Sequence, residues 1–253
     1  MNQSFKFKAA TILFGLLLAF TIVNAAADMP KELQFLTSEK PPDYLSIMGT
    51  LEAKDSSGVS QMLLPYFFYW EKGSFIFDIR SAGGGPAGFF KGVADTIWIC
   101  DFIRGVKLTT LLNQKSGYGV SIPFSPEDIL SVFNLLPGGV GDIDTFYNQE
   151  NKLVIKAKSG NVYEYDAATH QPISIQNEAS RIVFKEFAES GSKTWPKEIE
   201  LYAGSIIPGT NLTVIKTTDV NFKRNKNREL LEKPLPFRMN REFDIRSQFI
   251  QNQ

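Results

Sequence analysis

Nine consecutive residues, Met62-Leu63-Leu64-Pro65-Tyr66-Phe67-Phe68-Tyr69-Trp70, constrain this chain more than any other stretch. Neighbouring side chains of a strand point to opposite faces, so this run is apolar or aromatic on both. A sheet with one wet face would leave a row of rings in water. Both faces therefore need cover, from a helix, from another part of a curved sheet, or from a bound apolar ligand. The run belongs to three predicted antiparallel strands, Tyr44 to Ala53, Val59 to Glu71 and Ser74 to Arg80. Asp55-Ser56-Ser57-Gly58 and the tight Lys72-Gly73 turn join them.

Strands continue to dominate downstream. Ser81-Ala82-Gly83-Gly84-Gly85-Pro86-Ala87-Gly88 reads as a loop; it lacks the lysine and Ser/Thr of a nucleotide-binding loop. Further strands are predicted at Phe89 to Val93, Thr96 to Phe102 and Val106 to Leu112, and after residue 150 at Lys152 to Ala157 and Asn161 to Tyr165. Ser174-Ile175, Arg181 to Phe187, Glu198 to Tyr202 and Leu212 to Phe222 complete the series. Two helices are expected. A short one begins at Pro30 and runs to Thr37. The other opens at Ser125-Pro126-Glu127-Asp128 and ends at Pro137-Gly138-Gly139; it is apolar nearly all round, which predicts burial against a large apolar surface.

The 253 residues suffice for one large β domain, and the formal net charge of +0 gives no reason to expect a nucleic-acid partner. At the start, Lys6 and Lys8 precede an uncharged stretch from Ala9 to Val23 and then Asn24-Ala25-Ala26-Ala27, the order of a secretory leader. Residues 1–27 are thus expected to be a cleaved signal peptide, 28–222 the β domain, and 223–253 a basic, poorly packed extension. An exported location follows from that leader. The basic residues of the extension, Lys223, Arg224 and Lys226 among them, make anionic lipid head groups an alternative contact.

Catalytic chemistry finds little support in the residues. The single histidine, His170, falls in a predicted turn, and the single cysteine, Cys100, lies in the apolar run Ile97-Trp98-Ile99-Cys100 as a small buried thiol. Asp142 and Asp144 lack the glycine and the later glutamate of a calcium loop. No HExxH, CxxC or GxSxG motif occurs. No catalytic residue, metal or cofactor is expected. The 21 phenylalanines and the two-sided strands suit either an ordinary aromatic core or a concave sheet that retains acyl chains by buried area.

Taken in order, the pieces resemble the LolA/LolB-like superfamily of periplasmic outer-membrane lipoprotein carriers and receptors. The features that carry the resemblance are Gly49-Thr50-Leu51 near the end of the first strand, the aromatic run Pro65 to Trp70, and Phe75-Ile76-Phe77-Asp78-Ile79-Arg80 before a glycine-rich turn. The strand pair Thr96 to Leu112 leading into Pro126 to Leu136, then Trp195-Pro196-Lys197-Glu198-Ile199-Glu200-Leu201 and Leu212 to Asn221, complete it. The resemblance implies a mainly β fold, a single strongly curved antiparallel half-barrel with helices closing the concave side. It also implies a non-enzymatic carrier of lipid or lipoprotein acyl chains, in transient contact with a membrane surface or envelope proteins. A scaffold or interaction module on the same fold is the alternative. Tyr66, Phe68, Trp70, Phe75, Phe77, Ile97 and Ile99 would then line the cavity, and Ile129, Leu130, Phe133 and Leu136 would belong to a lid helix. The sequence departs from the lipid-anchored receptors in having no cysteine beside the leader.

Overall fold

The computed structural model describes residues 29–38, 42–111, 116–117, 120–121, 132, 136, 139–177, 180–190, 193–202, 212–224, 231 and 239–246. The expected leader lies outside them. Two units divide the chain, Met1–Glu39 and Lys40–Gln253. In the first, the helix expected over Pro30 to Thr37 takes the form of two short turns, a 3-10 turn at Lys31–Leu33 and α1 at Phe35–Ser38.

The second unit is a sheet. Its strands are β1 Tyr44–Lys54, β2 Ser60–Glu71, β3 Ser74–Arg80, β4 Pro86–Val93, β5 Thr96–Asp101 and β6 Val106–Leu111. A two-stranded piece follows, β7 Ser116–Gly117 with β8 Val120–Ser121, and then a 3-10 turn at Val140–Asp142. The second half holds β9 Ile143–Gln149, β10 Lys152–Ala157, β11 Val162–Asp166, β12 Pro172–Gln176, β13 Arg181–Ser190, β14 Lys193–Tyr202 and β15 Leu212–Asn221, with β16 Arg241–Asp244 near the C-terminus. Among the described residues, fourteen strands form one sheet in the order β16-β6-β5-β4-β3-β2-β1-β15-β14-β13-β12-β11-β10-β9. It is antiparallel throughout except where β16 runs parallel to β6. The edge strands, β16 and β9, are not joined to each other, so the sheet is open.

Local chemistry sets the turns. Asp55 Oδ1 accepts hydrogen bonds from Ser57 N at 2.9 Å, Ser57 Oγ at 2.6 Å and Val59 N at 3.0 Å, pinning the β1–β2 connection. Lys72 and Gly73 both take positive φ, 47° and 90°, the conformation that lets two residues reverse a twisted hairpin. Between β1 and β15 the register slips at Met48/Gly49, and there Gly49 packs so closely on the Lys216 carbonyl that no Cβ would fit.

Three expectations change. The glycine-rich loop is shorter than predicted: Ser81 N donates to Gly85 O at 2.7 Å, and β4 begins at Pro86, because Gly88 pairs with both Ile79 and Asp101. Ile143–Gln149, a stretch where no strand was expected, is an edge strand paired to β10 over most of its length. Within the C-terminal extension, the described stretch Arg241–Asp244 is paired rather than loose, since β16 adds to β6 and Lys107 Nζ bonds Glu242 Oε2 at 2.8 Å. The apolar helix expected from Pro126 to Leu136 lies outside the described residues except for Val132, which is helical, and Leu136; both are buried.

Candidate functional site

Cross-strand register decides which side chains share a face, because directly paired residues point the same way. One row runs Leu45, Trp70, Phe75, Gly92, Ile97 and Thr110 from β1 to β6. The next, two residues along each strand, is Ile47, Phe68, Phe77, Phe90, Ile99 and Leu108. All seven residues proposed from sequence as a cavity wall therefore fall on one face, and each is at most 4% exposed. Of the four lid residues, Leu136 is buried, while Ile129, Leu130 and Phe133 lie outside the described residues.

The rings on this face touch. Tyr66 and Phe77 have centroids 5.2 Å apart, Phe68 lies 6.1 Å from both Phe75 and Phe77, and Phe77 lies 6.0 Å from Phe90. Such offset and tilted contacts add roughly 0.5–1.5 kcal/mol each to the area they bury. Trp70 Nε1 donates to the Pro42 carbonyl at 3.1 Å, so its indole is satisfied while its ring stays dry.

The same face continues into the second half, where sequence reasoning had proposed no residue. Leu51 pairs with Ile215, Ile215 with Ile199 and Ile199 with Phe184; further along, Ile175 pairs with Tyr163 and Tyr163 with Ile155. All are buried. The signal was present in the apolar alternation of Val162–Asp166 and Glu198–Leu201, but alternation within a strand cannot tell which distant strand it joins. A small polar chain crosses the middle of the face: Trp195 Nε1 donates to Thr217 Oγ1 at 3.2 Å, and Thr217 also bonds the Tyr66 hydroxyl. Burial drives the Tyr66 phenol well above its ordinary pKa, so it stays protonated.

The opposite face has two characters. Across β1, β15, β14 and β13 it is ionic. Glu52 meets Lys54 and Lys216, Lys216 meets Glu198, and Lys185 meets Glu198 and Glu200, with Tyr202 donating to Glu200 at 2.7 Å. Across β2 to β5 it is mixed: Tyr69, Ile76, Phe89 and Cys100 are buried there, with Asp78 and Lys91 in the same rows. Phe102, Leu231 and Met239 pack against Ile76, Phe89 and Cys100. Leu231 and Met239 thus cover part of this second face over β3 to β5, whereas on β2 only Tyr69 is buried there and Leu63 stays 56% exposed, so the expected cover of both β2 faces is incomplete. Burial pushes the Cys100 thiol up to about 11, which keeps it a neutral core group.

Residues weighed for other chemistry sit in turns. His170 closes the β11–β12 turn through its N–H to Asp166 O at 2.9 Å, and Asp166 Oδ1 accepts from Ala168 N and Thr169 N. Asp142 accepts from Ser159 Oγ at 3.0 Å. Among the described residues, no group of three or more His, Cys, Asp or Glu is placed to hold a metal ion.

This mostly antiparallel open sheet has counterparts in backbone architecture among solved structures. A LolA superfamily protein from Nitrosomonas europaea superposes with a TM-score of 0.50 at 10% identity, over 77% of this chain and 92% of that one. The chain has a LolA-like fold. A DUF1329 family protein from Desulfovibrio piger superposes on this chain with a TM-score of 0.54 at 11% identity, over 83% of this chain and 96% of that one. No family model and no curated protein matches the sequence. At such identity the likeness is one of backbone architecture, and the chemistry of the site rests on this chain's own residues.

Proposed function

We propose that this chain is a non-enzymatic periplasmic carrier. It would bind lipid or lipoprotein acyl chains on the apolar face and shield them during transfer between envelope membranes. The observation that carries the reading is the mainly apolar face from β6 to β10, opposite a face that is ionic across β1, β15, β14 and β13 and is met by Leu231 and Met239 over β3 to β5. In this reading the sheet curves as a half-barrel around the acyl chains, and the lid helix expected over Pro126 to Leu136 closes it. Acyl chains need no directional contact; they are retained by buried area at roughly 25 cal/mol per Å². Exchange of lid contacts for acyl contacts of similar strength allows release with no coupled energy source. The leader-like residues 1–27 support an exported location, and the LolA-like fold supports a carrier class.

A second reading, an envelope scaffold whose apolar face is filled by its own side chains, is favoured by one observation: the wall residues are at most 4% exposed. Native mass spectrometry of gently purified protein separates the two. The carrier arrives with co-purifying lipid and takes up a fluorescent fatty acid, whereas protein that carries no lipid and takes up no probe is the scaffold.

A further inference from the structure

The apolar face holds buried hydroxyls that packing does not explain, and one of them stands in the aromatic half of the sheet. Thr110 is 1% exposed, and its Oγ1 has no hydrogen-bond partner. A buried hydroxyl left without a partner is costly, and a side chain of the same shape without the hydroxyl would avoid that cost. Register places Thr110 on the site face, directly beside Ile97 and in the row of Gly92, Phe75 and Trp70. That row lies near the strand ends: Trp70 is followed by Glu71 and the hairpin turn, and Thr110 is the penultimate residue of β6. From it the face runs inward through the row of Phe77, Phe90 and Ile99 to that of Tyr66 and Ile79, roughly 14 Å at about 3.4 Å per residue. A single hydroxyl donor stands at one end, and apolar side chains dominate beyond it.

We propose that the Thr110 hydroxyl donates a hydrogen bond to the carbonyl oxygen of a fatty-acyl group whose chain lies along the rows beneath it. This rests on the carrier reading and deepens it by naming the polar contact that orients the cargo. Because Thr110 is covered, the acyl group reaches it by displacing what lies over the face. Thr213 Oγ1 is equally buried and without a partner, but it sits on β15, six strands away in the sheet and beside Ala53. At about 4.8 Å per strand that is roughly 29 Å along the sheet, so Thr213 is an internal control for the loss of a buried hydroxyl.

The test measures displacement of the carbonyl-free dye N-phenyl-1-naphthylamine from wild type, Thr110→Val, Thr110→Ser and Thr213→Val. The competitors are dodecanoic acid, methyl dodecanoate and dodecane. Both valine variants are expected to fold and to melt a few degrees higher, as removal of an unbonded buried hydroxyl should allow. Thr110→Val should lose roughly tenfold in affinity for acid and ester and none for dodecane, the size of one lost hydrogen bond. Thr110→Ser should retain affinity, and so should Thr213→Val. Loss confined to the acid points to free fatty acids as the source of the carbonyl; loss with the ester as well points to acyl lipids. Equal binding by wild type and Thr110→Val, or a loss in Thr213→Val instead, overturns this assignment and leaves the carrier reading standing. Wild type that takes up neither dye nor acyl competitor overturns both.

Discussion

The ring of Phe75 lies over Gly92, its direct partner across the β3–β4 pair, and fills the space where a side chain would stand. Phe75 is itself held by Phe68, 6.1 Å away and nearly parallel, so it cannot swing aside freely. Gly92→Ala is expected to cost about 1–3 kcal/mol as an overpacking change. Gly49→Ala should cost more, because the group in its way is the backbone carbonyl of Lys216, fixed in the β1–β15 ladder. Urea denaturation of the two variants checks the order; an alanine as stable as wild type at either position would mean that the close approach is not there.

Phe77 is the centre of the aromatic group, in ring contact with Tyr66, Phe68 and Phe90. Phe77→Ala should destabilise the protein by about 3–5 kcal/mol, the range for a fully buried ring. Under the carrier reading, a saturating acyl ligand that fills the vacated space should recover more of the melting temperature in this variant than it adds to wild type. Differential scanning fluorimetry with and without dodecanoic acid measures both.

The C-terminal cover gives a prediction read out at a single atom. Met239 packs against the cluster that contains Cys100, and Ile245 N donates to Thr109 O at 3.0 Å to hold the segment on β6. Met239→Asp forces a charge toward that cluster and should cost about 2–4 kcal/mol. Native Cys100 should react negligibly with a thiol reagent at pH 8, and the variant should react measurably faster as the segment lifts. In wild type, the raised thiol pKa makes stability fall as pH climbs from about 9, the ordinary value, through about 11, since the unfolded chain ionises first. A Cys100→Ala variant should lack that alkaline decline.

On the ionic face, burial alone would raise the Glu200 carboxyl, but hydrogen bonds from Lys185 at 2.5 Å and Tyr202 at 2.7 Å outweigh it and hold the carboxyl below its ordinary value. The depressed pKa means the contribution is present above about 4.5 and is lost as pH falls through the folded-state value. Lys185 is nearly half exposed, so Glu200→Gln should cost only about 1 kcal/mol at pH 7. The difference from wild type should shrink below pH 4; urea melts at pH 7 and pH 3.5 make the comparison.

Much of this architecture is legible in the amino acids. The alternation and turn residues of Tyr44 to Arg80 place three strands within one or two residues of where they stand, and the apolar run around Cys100 marks a buried thiol. The two-sided β2 run states that both faces need cover, because side-chain direction in a strand is a local property of the backbone. What covers each face is not local. The segment around Met239 reads as a charged tail because its few apolar residues form no periodic pattern; only their meeting with Ile76, Phe89 and Cys100, more than 130 residues away in sequence, gives them a role. The phase of the site is likewise a tertiary result. Period two groups Phe75 with Phe77 and Ile97 with Ile99, but only the β3–β4–β5 register joins these pairs on one face and sets Thr110 beside them, because hydrogen-bond pairing between strands is decided by the whole sheet.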